Sequence, residues 1–240
     1  MIRLIIAPEP GSFAAKVREP GENALALLAG RPLPHEREGR PIAATKRMRG
    51  QSVTKTINNF NYWTSCLDDL YDAYHGICAY YCFRIERANH PQVDHFVAKR
   101  DRGEALAYAW SNYRLACAYA NTCKNESPDV LDPASIEDGW FQLDAVTLHV
   151  EADPELPAEL RRSVEDTIRR LKLREGRALD VRRHAMEHFR TGRANLDFLA
   201  MDHPFLAKEL TRQGIRTNAE LPPLPREVTD AVEPELGADE

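Results

Sequence analysis

The sequence has no long hydrophobic run: its early apolar stretch, Leu4 to Ala7, is cut off by Pro8 and Pro10. That is too short for a membrane span or for the apolar region of a signal peptide, so a cytoplasmic protein with no membrane partner is expected. Cysteine is scarce and odd in number, five in 240 residues at positions 66, 78, 82, 117 and 123. Without a secretory signal an odd count argues against a disulfide framework and leaves metal binding or inert burial. An excess of positive charge is also lacking. A formal charge of −5 is not that of a protein that coats nucleic acid by charge alone.

What is present is a globular composition, 43% apolar and 29% charged, which allows a real core and excludes disorder throughout. Charge is segregated. Residues 40 to 56 carry Arg40, Lys46, Arg47, Arg49 and Lys55 with no acid, and residues 161 to 193 carry eleven basic residues against five acids. Residues 220 to 240 reverse this with seven acids, one Arg and four prolines. Local basic surfaces and an acidic tail follow, the tail from 216 being expected to be disordered. Residues 1 to 45 hold repeated prolines and glycines around one short apolar segment, Ala24 to Leu28, and are expected to form an arm packed on a domain.

From Ile57 the pattern changes. Phe60, Trp63, Leu67, Leu70, Tyr71 and Tyr74 recur at three- and four-residue steps, predicting one helical stripe that stops at Gly76. Its aromatics, with Cys66, are assigned to the core. Gln92 to Val97 alternates as a short strand, Tyr113 to Cys117 is a second apolar run, and Asn121 to Asn125 suits the start of a short helix. Trp140 to Leu143 and Val146 to Val150 read as two further strands. Helices are expected over 157 to 173 and 178 to 189, with a last short one around Leu206 and Leu210. The fold class expected is α+β.

The informative residues run from Cys78 to Lys124: Cys78-Ala-Tyr-Tyr-Cys82, Val93-Asp-His-Phe-Val-Ala-Lys99, Trp110-Ser-Asn-Tyr-Arg-Leu-Ala-Cys117 and Asn121-Thr-Cys-Lys124. This combination resembles the HNH nucleases of the ββα-metal type, and most of all the small HNH proteins encoded beside bacterial anti-phage ATPases. Weaker likeness extends from about 57 to 190, through Leu131-Asp-Pro133, Asp138-Gly-Trp-Phe141 and Leu171-Lys-Leu173. The resemblance implies a ββα-metal core spanning part of residues 46 to 215, embedded in a mainly helical domain.

Phosphodiester hydrolysis needs a base for water and a cation for the charge on phosphate and leaving oxygen. His95, with an ordinary pKa of about 6.5, is the candidate base. By the resemblance, Asp94 and Asn121 hold one hard divalent cation, Mg²⁺ or Mn²⁺, and Asn112 fixes the loop and orients His95. Asp94 and His95 are neighbours, and a regular strand would point them to opposite faces, so the strand must end or bulge at this pair. Lys99 and Lys124 are candidate phosphate contacts.

Many members of the family clamp a structural zinc with two C-x-x-C pairs, and this chain departs from both. Tyr81 and Ala120 stand where two of the cysteines belong. Either zinc is held by the shifted set Cys78, Cys82, Cys117 and Cys123, or the metal has been replaced by packing of Tyr81 against Ala120. Three functions stay open: an endonuclease acting on DNA or RNA, a degenerate module that binds nucleic acid without cleaving it, and a defence effector switched on by a partner ATPase or sensor.

Overall fold

A computed structural model describes residues 1–36, 57–99 and 106–223. The basic run at 40 to 56 and most of the acidic tail lie outside the described residues. The architecture is mixed helix and small sheet: among the described residues two separate two-stranded antiparallel ribbons lie among helices and share a core. No helix among the described residues is long and apolar enough to cross a membrane.

The first helix, α1 (Glu19–Leu28), is preceded by one wide turn over Ala14–Arg18 and is longer than the apolar segment at 24 to 28 suggests. Pro20, which looks like a breaker, sits in the first turn, where its missing N–H costs nothing. Gly21 has a different reason to be there. A Cβ at this position would stand 2.1 Å from the Tyr108 ring, so only glycine lets the helix lie on that side chain. Phe13 is fully buried, edge-on to Trp110 and Tyr113 with ring centroids 5.5 and 5.8 Å apart. The Trp110 indole donates to the Ala7 carbonyl at 2.7 Å, which fastens the N-terminal segment to the same cluster.

The expected aromatic helix is broken in two: a 3₁₀ segment, Tyr62–Cys66, leads into α2 (Leu67–Ala73). The tighter first part lets Trp63 and Cys66 both face inward, and Gly76 at φ +71° ends the element as anticipated. β1 (Gln92–His95) pairs antiparallel with β2 (Tyr113–Ala116), placing Asp94 opposite Arg114 and His95 opposite Tyr113. β2 runs at once into α3 (Ala118–Lys124), three residues earlier than the polar positions at 121 to 125 indicate. Buried Arg114 is locked to Asp132 by two hydrogen bonds of 2.9 and 2.7 Å, tying this ribbon to the loop that follows α3.

β3 (Phe141–Leu143) and β4 (Val150–Ala152) form the second ribbon. The expected strand over 146 to 150 is corrected: residues 145 to 147 are a turn, and 148 and 149 stand outside the strand. The Asp144 carboxylate accepts from the backbone of Val146 and Thr147 at 3.0 and 2.6 Å, and Leu148 adopts φ +60°, so pairing begins only at Val150. α4 (Ala158–Arg170) and α5 (Gly176–Arg190) follow the predicted stripes. α6 (Leu196–Asp202) was not anticipated, although Asn195 caps it by accepting from Phe198 N at 2.8 Å. α7 (Pro204–Arg212) reaches back to β3, where buried Glu209 accepts from Leu143 N at 2.8 Å. Residues 217–220 are an ordered capped turn and not part of a disordered tail.

Candidate functional site

β1 stops at His95, two residues short of the expected end at Val97, and this brings Asp94 and His95 onto one site. After His95 the chain leaves the ribbon, with Phe96 N donating to the Asn112 carbonyl at 2.9 Å. Asp94 and His95 therefore both line a cleft of about 490 Å³, with Lys99, Asn121, Asn125 and Glu126 among the other walls.

His95 is 8% exposed and held on three sides. Its ring meets Trp63 edge-on at 4.8 Å and Tyr113 at 5.1 Å, and its Nε2 lies 2.9 Å from the Ala107 carbonyl. A carbonyl only accepts, so Nε2 carries the hydrogen and Nδ1 keeps a lone pair, with no hydrogen-bond partner among the described residues. The Tyr113 hydroxyl donates to the same carbonyl at 2.7 Å and fixes it. Burial, then the Lys99 ammonium, push the His95 pKa down to about 3, so the ring is neutral at pH 7. A neutral imidazole with a fixed tautomer keeps one ring lone pair that can accept a proton.

Asp94 is 5% exposed and fully engaged on its buried side. It accepts from the Tyr80 hydroxyl and from the Lys124 ammonium, the latter at 3.2 Å. Burial pushes its carboxyl upward, and Lys124 and Tyr80 oppose this. Lys124 requires a correction. Expected at a phosphate, it is 1% exposed, and its ammonium is spent on Asp94, on the His95 carbonyl at 3.0 Å and on the Asn125 carbonyl at 3.3 Å. Helical spacing explains the placement: Asn121 and Lys124 are three residues apart on α3, so both face β1, one at the rim and one inside.

Asn112 clamps the loop. Its carboxamide accepts from Val97 N at 2.8 Å and donates to the Val97 and Leu106 carbonyls at 3.2 Å each, which closes both ends of residues 97 to 106 and so sets the Ala107 carbonyl that holds His95. The Asn121 amide nitrogen donates to Gln92 at 2.8 Å, which turns its oxygen away from Gln92. Lys99 lies over the Trp63 ring at 4.1 Å and donates to Asn58 at 2.6 Å, half-buried at the cleft wall. Carboxylate and carboxamide oxygens, from Asp94 and Asn121, are the donors a hard cation prefers, and both groups open on the cleft.

The four cysteines named for zinc do not converge. Cys78 and Cys117 are neighbours, with sulfurs 4.0 Å apart. The Cys78 thiol as donor, joined by the amides that open α3, holds the Cys117 pKa down at about 7. Cys82 lies at φ +54° and turns its thiol towards the Met1 amino group and Arg182, away from the pair. The one-residue slip from position 81 causes this. Tyr81 occupies the place beside Cys123, Cys117 and Cys78 and donates to the Leu171 carbonyl at 2.8 Å, with Ala120 fully buried nearby on α3. Among the described residues no group of three or more His, Cys, Asp or Glu is arranged around a common point. The shifted four-cysteine set therefore does not fit a zinc ion.

Sequence reasoning missed Tyr80, the second donor to Asp94, and Glu126, the second carboxylate on the cleft. It also assigned Trp63 to the core alone, although that ring flanks His95 and carries Lys99. Tyr80 and Trp63 gave no signal, since aromatic residues on buried elements are ordinary; Glu126 was signalled only by following the Asn-x-x-Lys stretch at two residues' distance. The basic run at 161 to 193 is partly internal: Arg182 is buried and donates to the Leu148 and Leu173 carbonyls, and Arg174 donates to the Val150 carbonyl at 2.8 Å. Set against models of known protein families and against curated proteins, the chain matches none.

Proposed function

We propose that the protein is a metal-dependent endonuclease of the HNH, ββα-metal type that hydrolyses phosphodiester bonds of DNA or RNA. The observation that carries this reading is His95: a buried, neutral imidazole whose Nε2–H is tied to the Ala107 carbonyl, on a residue that lines one cleft with Asp94 and Asn121. The ribbon of β1 and β2 followed directly by α3 supports it: Asp94 and His95 end β1, Asn112 stands in the turn just before β2, and Asn121 lies on α3.

Asp94 and Asn121 are the residues that would hold Mg²⁺ or Mn²⁺; when bound, such a cation stabilises charge on the phosphate and on the leaving oxygen. His95 takes a proton from water at Nδ1, and its fixed tautomer means that no ring rotation is needed first. Lys99 lies close enough to the cleft to meet a phosphate oxygen as a point charge. Asn112 acts through the loop, by holding the carbonyl that orients His95. The test is cleavage of plasmid DNA and of total tRNA in Mg²⁺ or Mn²⁺ by the parent and by His95→Ala. Cleavage by the parent alone is expected, and equal cleavage by both would remove His95 as the base.

A second reading has its own observation. Lys124 already neutralises Asp94, and His95 is a weak base with a pKa of about 3, which is also what a degenerate module that binds nucleic acid or a partner protein would look like. Binding of nucleic acid with no turnover across a Mg²⁺ titration would favour it. The resemblance to defence-associated proteins adds a third form of the reading, activity switched on by a partner ATPase or sensor, in which cleavage appears on adding that partner and still requires His95.

A further inference from the structure

Two buried thiols take no part in the chemistry proposed for the cleft. Cys78 and Cys117 face each other with sulfurs 4.0 Å apart, the Cys78 thiol donating. The backbones that carry them are already joined beside the pair, where Ala79 N donates to the Leu115 carbonyl at 2.8 Å. Disulfide sulfurs lie about 2.05 Å apart, so closing the bond takes about 2 Å of movement between segments that are held together without it.

The two sulfurs differ. Cys78 is fully buried, whereas Cys117 keeps 5% of its surface. The Cys117 sulfur also accepts from the amides of Tyr119 and Ala120 at the start of α3, which favours the electron-rich form that reacts with oxidants. Cys78 stands behind it as a second thiol within reach. The other three cysteines have other neighbours: Cys66 donates to the Trp63 carbonyl at 3.1 Å, Cys82 turns towards the Met1 amino group, and Cys123 lies beside Tyr81.

We propose that Cys78 and Cys117 are a modification site for hydrogen peroxide, which converts the pair to a reversible disulfide. The Cys117 sulfur attacks one peroxide oxygen and the O–O bond breaks; the other oxygen leaves as water with the thiol proton, and Cys117 becomes a sulfenic acid. The Cys78 sulfur then attacks the Cys117 sulfur, the S–O bond breaks, and the hydroxyl leaves as a second water with the Cys78 proton. Two thiols are oxidised and one peroxide is reduced to two waters. A dithiol reductant reverses the change.

The bond closes a chain loop that holds β1, the Asn112 clamp and β2. It also ties the start of α3 to the segment whose Tyr80 donates to Asp94. Oxidation therefore braces the cleft from behind, through two residues that do not line it. The proposal stands apart from the nuclease reading.

The experiment treats the reduced full-length protein with hydrogen peroxide at one equivalent, counts free thiols after unfolding, and maps the disulfide by tandem mass spectrometry. Two of the five thiols should disappear, with Cys78 joined to Cys117, and dithiothreitol should restore them. The oxidised protein should unfold about 5 to 10 °C above the reduced one. Cys82→Ser and Cys123→Ser should lose two thiols as the parent does, and Cys117→Ser should lose none. A count that stays at five, a bond that includes Cys82 or Cys123, or sulfinic acid at Cys117 in place of the disulfide would each overturn the proposal. A disulfide that leaves the midpoint unchanged or lowers it is made by distorting the fold, and overturns it as well. The map and the midpoint are read on the parent, so they decide the matter if Cys117→Ser does not fold.

Discussion

Removing the Lys124 ammonium tests the central arrangement of the site. Its Nζ sits 3.2 Å from the Asp94 carboxylate, and both side chains are almost wholly buried, 1% and 6% exposed. At that distance two unit charges attract by about 5 kcal/mol at an effective dielectric of about 20. Much of this is offset by the cost of taking both ions out of water, so the pair adds little net stability. Breaking it is a different matter. Lys124→Met leaves Asp94 buried and uncompensated and also removes a donor from the His95 and Asn125 carbonyls, and the expected loss is about 3 to 5 kcal/mol. Asp94→Asn keeps an oxygen for the Tyr80 hydroxyl but leaves the ammonium buried without its counter-charge, at a similar cost. The double variant has neither orphan, so it should be more stable than the sum of the singles implies, by about 3 kcal/mol. Urea unfolding of the four proteins, followed by tryptophan fluorescence, gives the cycle. Single losses below about 1 kcal/mol, or a double loss equal to the sum within about 0.5 kcal/mol, would refute the buried pair.

Two further outcomes follow from the geometry. Asn112→Ala removes three hydrogen bonds that close the loop from Val97 to Leu106, so stability should fall by roughly 2 to 3 kcal/mol and limited proteolysis should cut first between residues 97 and 106, with equal cutting in the parent counting against the clamp. Acid should weaken the fold early through two histidines: burial pushes His95 to about 3 and His203 to about 4, the latter also facing His184, His188 and Asp202. Their contribution is intact above about pH 6.5 and is lost as pH falls towards those values, because the unfolded chain takes up the protons first. For His203, which is partly exposed, the loss at pH 5 is roughly 1 to 2 kcal/mol, and His203→Gln should make the stability difference between pH 7 and pH 5 smaller by that amount; an unchanged difference would show that His203 titrates normally.

The helix at 158–170 was legible because it carries a stripe over three turns, and the one at 176–190 was legible from a less regular set, Leu179, Val181, Ala185 and Phe189, over a similar length. Short elements were not. The stretch from 146 to 150 reads as a strand because Val146, Leu148 and Val150 alternate, and nothing in alternation reveals that Asp144 caps the backbone in front of them. α6 hid for the same reason in reverse: seven residues are too few for a stripe, and Asn195 is a strong cap signal only once a helix is suspected. Pro20 misled by composition, since a proline that breaks a helix interior is favoured in a first turn.

The site was legible in residue type and spacing and illegible in direction. Asp94 and His95 were expected on one cleft only if the strand stopped at that pair, and it stops there because Asn112, seventeen residues after His95, takes the next backbone amide into its own hydrogen-bond set. Such a contact has no signature near residue 95. Lys99 and Lys124 look alike as lysines close to the motif, yet one lies at the cleft over Trp63 and the other is sealed inside against Asp94. What separates them is the element beneath. Lys124 is on a helix face that packs on β1, so its length carries the charge inward; Lys99 follows the end of the strand, and its stem lies along an aromatic surface with its charge at the rim. The same distinction decides the charge of the cleft: a count of motif residues makes Asp94 a bare carboxylate, and the inward Lys124, placed by the packing of α3 on β1, takes that charge away.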